Sequence, residues 1–396
     1  MNGRIYLDFN ATTPPAPEVA AAMRPYLTED FGNPSSTHWA GIGARDAVEA
    51  ARSKVAALLC CDATEIVFTS GGTESNNQVL KGTFYACCRD KARPHIITSR
   101  IEHPSILEPC RFLEGLGADV TYLPVDRFGR VDPSDVKDAL QDETVLVSVM
   151  HANNETGVIQ PITEIAQLAR DRGVLCHTDA AQTVGKIPVD VESLGVDLLT
   201  IASHKLYGPK GVGALFVREG VELTSLLHGA GHEAGRRAGT ENVASIVGLG
   251  TACEVARRWL ETTDTLFLRD YFWQKLRAIF SDLVVLNGHL DERLPNTLNV
   301  SFRGLFGSNI LAKLPAVAAS TGSACHAGVR CLSPVLEAMG VEESIGLGAI
   351  RFSLGHTTTE QELDWVSREL ERIISESDRV VGKGKASSGA TKPVTH

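Results

Sequence analysis

Along the chain, short apolar runs alternate with stretches of helical period. Runs rich in Val and Ile at Glu65–Thr69, His95–Ser99, Val120–Pro124, Val145–Met150, Val174–His177 and Leu198–Ala202 predict six strands. Helical patterns such as Ile162–Arg172 separate several of them, which predicts parallel βαβ units. Gly211–Val217 follows a Gly/Pro turn and reads as a further strand, an antiparallel return. An N-terminal arm and a helix near Ala40–Leu59 precede this region. A long helical pattern from about Ala244 to Leu276, broken near Thr262, follows it. Short strands at Thr297–Phe302 and Ile350–Leu354 then mix with helices, and a last helix is predicted near Glu360–Ser375. That mixture suits a smaller α+β unit. From Gly382 the chain reads GKGKASSGATKPVTH, a composition that predicts a disordered tail. No internal repeat is visible.

Size and charge narrow the picture. With 396 residues the chain exceeds what one hydrophobic core normally supports, so two domains are expected. The net charge of −10 argues against direct nucleic-acid binding, which needs concentrated Lys and Arg. The N-terminus, MNGRIYLDFN, has charged and polar residues where a signal peptide has an apolar core, and no run is long enough to span a bilayer. The expectation is a cytoplasmic protein without a membrane partner. Cysteines at 60, 61, 87, 88, 110, 176, 253, 325 and 331 show neither metal-ligand spacing nor a small disulfide framework. In a reducing compartment most of them behave as small buried hydrophobes, and no metal site is expected.

The chemistry-bearing residues cluster just after predicted strands, where α/β sheets collect ligands. SGGTESNN (Ser70–Asn77) places Gly72 and Thr73 at the start of a helix whose free N–H groups suit a phosphate. Taken alone, a turn with a Thr/Ser cap is the plainer reading. Glu102-His103, the polar turn Asn153–Gly157, and HTDAAQ (His177–Gln182) follow three further runs. Asp179 is a good partner for a protonated ring nitrogen, or simply a helix N-cap, and Gln182 lies one short turn on. The fifth cluster, SHKLYGPKG, puts Lys205 beside Ser203 and His204 after LLTIA. A lysine at the end of a buried strand is costly unless its amine has a depressed pKa or is covalently bonded, and a Schiff base meets that need. A phosphate cup, a His, an Asp and a Lys together suit a pyridoxal cofactor.

In order along the chain stand NATTP, FGNPSS, SGGTESNN, EHPS, ANNETG, HTDAAQ, SHKLYGPKG, GRRAGTEN, LPNTLNVSF, STGSACHAG and IRFSLG. With these motifs the chain resembles the cysteine desulfurases of the nitrogen-fixation and iron–sulfur-cluster type, over roughly Ile5 to Leu370. The resemblance implies fold type I of the pyridoxal-phosphate enzymes, with a large α/β domain whose mostly parallel sheet is flanked by helices. It divides the chain into an arm, 1–15, joining the small domain, a large cofactor-binding domain, 16–258, a small C-terminal domain, 259–378, and a tail, 379–396. It implies a homodimer, L-cysteine as substrate, and a sulfur-accepting partner such as a cluster scaffold or a thiolation enzyme. Lys205 would hold pyridoxal 5'-phosphate and move the substrate's Cα proton, and His103 would stack on the ring and assist proton transfers. Asp179 would pair with the ring nitrogen and Gln182 would bond the phenolic oxygen. Gly72, Thr73, Ser203 and His204 would hold the phosphate, joined by Thr240 of GRRAGTEN from the neighbouring subunit. Asn33, Asn154 and Arg351 would position the substrate, with Arg351 gripping its carboxylate.

Cys325, in STGSACHAGVRCLSP, is the nucleophile that the resemblance implies: it takes sulfur as a persulfide while alanine leaves. That chemistry needs a thiolate, for which His326 and Arg330 offer a positive field. The segment departs from cluster-assembly desulfurases in Cys-His, in a second thiol at Cys331, and in Leu332–Pro334. ACH followed by SPVL is similar to selenocysteine lyases, so L-selenocysteine stands as the alternative substrate. Another pyridoxal reaction, such as epimerisation or transamination, would use Lys205 and Asp179 without Cys325.

Overall fold

The computed structural model describes residues 3–88, 93–262, 264–321 and 331–386. Its strands are β1 (Ile5–Tyr6), β2 (Ile66–Thr69), β3 (His95–Ser99), β4 (Asp119–Leu123), β5 (Thr144–Ser148), β6 (Leu175–Asp179), β7 (Leu198–Ala202), β8 (Gly213–Val217), β9 (Val284–Leu286), β10 (Thr297–Phe302), β11 (Val317–Ala318) and β12 (Ala349–Ser353). Seven of them form one sheet in the order β2-β8-β7-β6-β5-β3-β4. Strand β8 is antiparallel to both neighbours, and every other pairing is parallel. Since β8 alone reverses, the other six strands run the same way and their carboxyl ends share one edge.

Alternation along these strands feeds two cores. Ile66 and Phe68, Ile97, Val147, Leu199 and Ile201 pack on one face, with the helices Trp39–Leu59, Ile162–Arg170 and Val243–Thr262. Val67, Ile96, Leu146, Leu198 and Leu215 pack on the other, with the helices Gly72–Cys87 and Pro104–Glu114. Both faces of a parallel sheet must be covered, which explains the near-continuous apolar runs. Helix Ile162–Arg170 shows how one wall is built: Ile162, Ile165, Ala166 and Ala169 recur at helical spacing and are buried. Each Ile contributes about 1.5–3 kcal/mol by leaving water.

A second sheet, β12-β10-β9, is antiparallel and has its own core of Phe272, Leu298, Val300, Phe302, Ile350, Phe352 and Leu363. Leu7 of the N-terminal arm is buried in that core, and β1 pairs in parallel with β11. The predicted break near Thr262 separates the helices Val243–Thr262 and Thr265–Phe280.

Two boundaries differ from the expectation in ways that matter. Strand β6 continues to Asp179 because His177, Thr178 and Asp179 pair with Leu198, Leu199 and Thr200 of β7. The last helix runs Glu360–Ala386, five residues into the stretch expected to be a tail. Backbone helix propagation carries through Gly382 and Gly384, although each glycine costs about 1 kcal/mol relative to alanine.

Candidate active site

The shared carboxyl edge opens into a cavity of about 280 Å³. Gly72, Thr73, His103, Asn154, Asp179, Gln182, His204, Lys205 and Arg351, all singled out in the sequence, line it together. Lys205 follows β7, Asp179 ends β6, Asn154 follows β5 and His103 follows β3. Topology thus gathers residues more than a hundred positions apart.

At one end the first turn of helix Gly72–Cys87 faces the cavity. Its leading N–H groups have no acceptor inside the helix, which makes the end a natural anion seat. Gly71 precedes it at φ 149° and ψ 179°, a conformation essentially restricted to glycine. His204 stands beside this end, its Nδ1 3.1 Å from Thr12 Oγ1. Burial, with Lys205 and Lys210 adding to it, lowers its pKa to about 4, so the ring is neutral near pH 7.

Lys205 donates from Nζ to the carbonyl oxygens of Asn10 and Ala11, both at 2.7 Å. Burial lowers its pKa to about 8, helped by the charge of Arg351 and opposed by Asp179 and Asp8. Asp179 accepts from Asn76 Nδ2 at 2.8 Å and from the Ala181 N–H at 2.9 Å. The carboxylate is therefore fixed by two donors; a turn and not a helix follows it, so the plain N-cap reading does not hold. His103 accepts the Ser105 N–H at Nδ1, 3.1 Å, so a neutral ring carries its proton on Nε2. Burial lowers the His103 pKa, Asp179 counteracts this and Lys205 adds to it.

At the other end Arg351, only 4 % exposed, donates to Asp8 Oδ1 at 2.7 Å and to the Asn154 carbonyl at 2.8 Å. Its Nε has no partner among the described residues. Arg351 also pairs through its backbone with Ser320, its N–H reaching the Ser320 carbonyl at 2.6 Å. Cys325, His326 and Arg330 lie outside the described residues. Of the described residues on either side, Ser320 lies beside Arg351. Ser333 donates to Glu155 Oε2 at 2.5 Å, in the turn after β5.

The pattern of the Aminotransferase class-V family matches residues 5–366. The chain belongs to this family. Among relatives, it is 50% identical to the "Cysteine desulfurase IscS" of Dictyoglomus turgidum over 94% of this chain and 95% of that protein. Among solved structures, it is similar to a NifS-like protein at 39% identity with a TM-score of 0.87, over 94% of this chain and 99% of that one. It is also similar to SspA in complex with cysteine, at 36% identity and a TM-score of 0.80, over 90% of this chain and all of that one.

Class-V aminotransferases work with pyridoxal 5'-phosphate, and this cavity fits it. A helix N-terminus faces one end, a fixed carboxylate and a neutral His stand at the middle, and one amine of depressed pKa projects between them. Not every expected residue is brought in. Ser203 Oγ is buried without a partner among the described residues and faces Gly208, where an added Cβ would lie 2.1 Å from it. Thr240 lines a separate cavity with Ser70, Glu233 and Arg237, and Asn33 is exposed and accepts the Ser35 N–H. Conversely, Asn10 and Ser105 line the cavity, Asp8 holds Arg351 and Asn76 holds Asp179, although the sequence assigned none of them a role. Asn76 had a usable signal, lying one turn after Thr73 on the same helix face.

Proposed function

We propose that this protein is a pyridoxal-phosphate-dependent cysteine desulfurase that converts L-cysteine to L-alanine and leaves the sulfur as a persulfide on Cys325. The observation that carries this reading is the amine of Lys205, with pKa near 8, set between Asp179 and Arg351 in one cavity. The names of the similar proteins point the same way.

When bound, the cofactor supplies an electron sink for the carbon skeleton of an amino acid. Gly72, Thr73 and His204 would hold its phosphate, His103 would lie against its ring, Asp179 would face its ring nitrogen and Gln182 its phenolic oxygen. The Asn76 donor keeps the Asp179 carboxyl aimed. Arg351 binds the substrate carboxylate, and Asp8 with the Asn154 carbonyl holds the guanidinium ready for it. Once freed, the Lys205 amine accepts the Cα proton of the substrate, a task suited to a base with pKa near the working pH. His103 Nε2 offers a proton site on the same side.

The Cys325 thiolate then attacks the substrate sulfur. An S–S bond forms as the C–S bond breaks, the electron pair of the broken bond stays with carbon, and carbon takes up a proton. The sum is L-cysteine plus a thiol giving L-alanine plus a persulfide, with no external oxidant. The anchoring of Ser320 beside Arg351 and of Ser333 on Glu155 supports delivery of Cys325 to this cavity.

A homodimer in which Thr240 of one subunit completes the phosphate seat of the other agrees with Thr240 lining a cavity other than that of Lys205. A sulfur-accepting protein is the natural consumer of the persulfide. Action in the cytoplasm belongs to this proposal; among the described residues no helix is long and apolar enough to cross a membrane. Selenocysteine is the second substrate to compare, because Cys-His and SPVL distinguish this segment.

The deciding experiment measures alanine release from cysteine and from selenocysteine, in wild type and Cys325→Ala. Loss of at least about a hundredfold on cysteine is expected for the variant, with the bound-cofactor absorbance unchanged. Full retained activity on cysteine would refute the persulfide route. A wild type active only on selenocysteine would replace desulfurase by selenocysteine lyase.

A further inference from the structure

Behind Gln182 stands an amine that the reaction itself does not use. Lys186 lies half-buried in the wall of a second cavity of about 180 Å³, which is also lined by Tyr207, Trp259 and His356. Its Nζ donates to Gln182 Oε1 at 2.7 Å and to Asn10 Oδ1 at 3.0 Å. Among the described residues no carboxylate lies within ion-pair distance of it. The charged groups acting on it are Lys205 and Arg351, and Lys205 in turn faces Asp179, Asp8 and His103. Burial first, then Lys205 and Arg351, hold its pKa well below the ordinary lysine value. An amine in such surroundings is unfavourable for stability alone.

What it gains is control over an amide. A side-chain amide offers an oxygen on one side and an NH₂ group on the other, and its orientation follows from its partners. Lys186 takes the oxygen of Gln182, so the NH₂ group must turn the other way. There it donates to the Asn10 carbonyl at 3.0 Å, beside the Lys205 amine, which uses the same carbonyl at 2.7 Å. Asn10 is fixed in turn: its Oδ1 accepts from Lys186 and Asn296, and its Nδ2 donates to Thr297 Oγ1 at 2.8 Å.

We propose that Lys186 is a positioning residue that locks the Gln182 amide with its Nε2 donor toward the cofactor's phenolic oxygen and thereby sets the proton affinity of the nitrogen bonded to Lys205. This deepens the cofactor reading above and rests on it. A donor at the phenolic oxygen draws off negative charge that would otherwise hold a proton on the adjacent nitrogen. Losing that donor raises the pH at which this proton leaves.

The test follows the visible absorbance of the bound cofactor across pH in wild type, Gln182→Ala, Lys186→Met, the double variant and Lys186→Arg. Gln182→Ala should raise the midpoint, and Lys186→Met should raise it by at least about half a pH unit. The double variant should shift no further than Gln182→Ala alone, since Lys186 acts through Gln182. Lys186→Arg, which keeps the donors, should recover at least half of the shift. A wild-type midpoint in Lys186→Met, or additive shifts in the double variant, would overturn the proposal even if the melting temperature falls. If Lys186→Met does not fold, Lys186→Gln is judged by the same midpoint criterion. Wild-type protein that takes up no cofactor would instead refute the cofactor reading itself.

Discussion

The groups at the cofactor end of the cavity hang from one framework. Asp179, Lys205, His103 and the first turn of helix Gly72–Cys87 all sit at the carboxyl edge of the seven-stranded sheet. The end proposed for the substrate is a junction instead: Arg351 comes from the second sheet, and Asp8 and Asn10 come from the N-terminal arm. A site on one sheet inherits that sheet's rigidity, whereas a site at a junction depends on contacts between separately packed parts. Changes at the two ends should therefore separate into effects on cofactor retention and effects on substrate affinity.

The sharpest way to break the cofactor end is Lys205→Ala. Alanine release should fall by at least about a thousandfold, and borohydride should no longer fix cofactor to the protein, as read by mass. Persistent fixation at another residue would show that the amine had been misassigned. At the junction, Arg351→Lys should leave the cofactor absorbance intact and raise the KM for cysteine by about tenfold or more. That corresponds to losing one charge-assisted contact of about 1.5–3 kcal/mol. A change in cofactor affinity of the same size would erase the distinction between the two ends.

The pKa of Lys205 adds a prediction about pH. Capture of pyridoxal phosphate by the cofactor-free protein needs the neutral amine. With a pKa near 8, about a tenth of the amine is neutral at pH 7 and about nine-tenths at pH 9. The capture rate should rise about tenfold over that range in stopped-flow absorbance and then level off. A rate still climbing steeply at pH 10 would mean an unperturbed lysine. Sign and stability agree: the folded-state pKa lies below the unfolded value, so the unfolded chain binds more protons between them. Lys205 therefore contributes increasing stability as pH rises from 8 towards 10. The smallest effect is expected for Asn76→Ala, which removes one donor to Asp179. Cofactor affinity should weaken about two- to tenfold in a fluorescence titration, with KM for cysteine unchanged.

The same contrast separates what was legible in the sequence from what was not. Strands β2 to β8 announce themselves locally, through Val and Ile runs that end in polar clusters, and polar residues after them line the end of the cavity proposed for the cofactor. Asp8, Asn10 and Lys186 carry no such mark. Asp8 meets Arg351 across 343 positions and Asn10 meets Thr297 across 287, and neither pairing has a local signature. Lys186 reads as a polar residue in a turn, and only its contacts with Gln182 and Asn10 give it a role. The helix through Gly382 was hidden for the opposite reason, because composition alone predicted disorder there. Cys325, legible by resemblance alone, lies outside the described residues.

The N-terminal arm has one further consequence, for the order in which the protein comes into being. Synthesis runs from the N-terminus, yet Ile5–Tyr6 pairs with Val317–Ala318, and Leu7 belongs to a core drawn mainly from residues after 268. The carbonyls of Asn10 and Ala11 that hold Lys205 are therefore made early and secured late. A chain released from the ribosome before the second sheet is finished would carry Lys205 and the whole seven-stranded sheet without the strap across its amine. Ribosome-bound chains halted at successive lengths should therefore acquire tight cofactor binding only after the last strand has emerged.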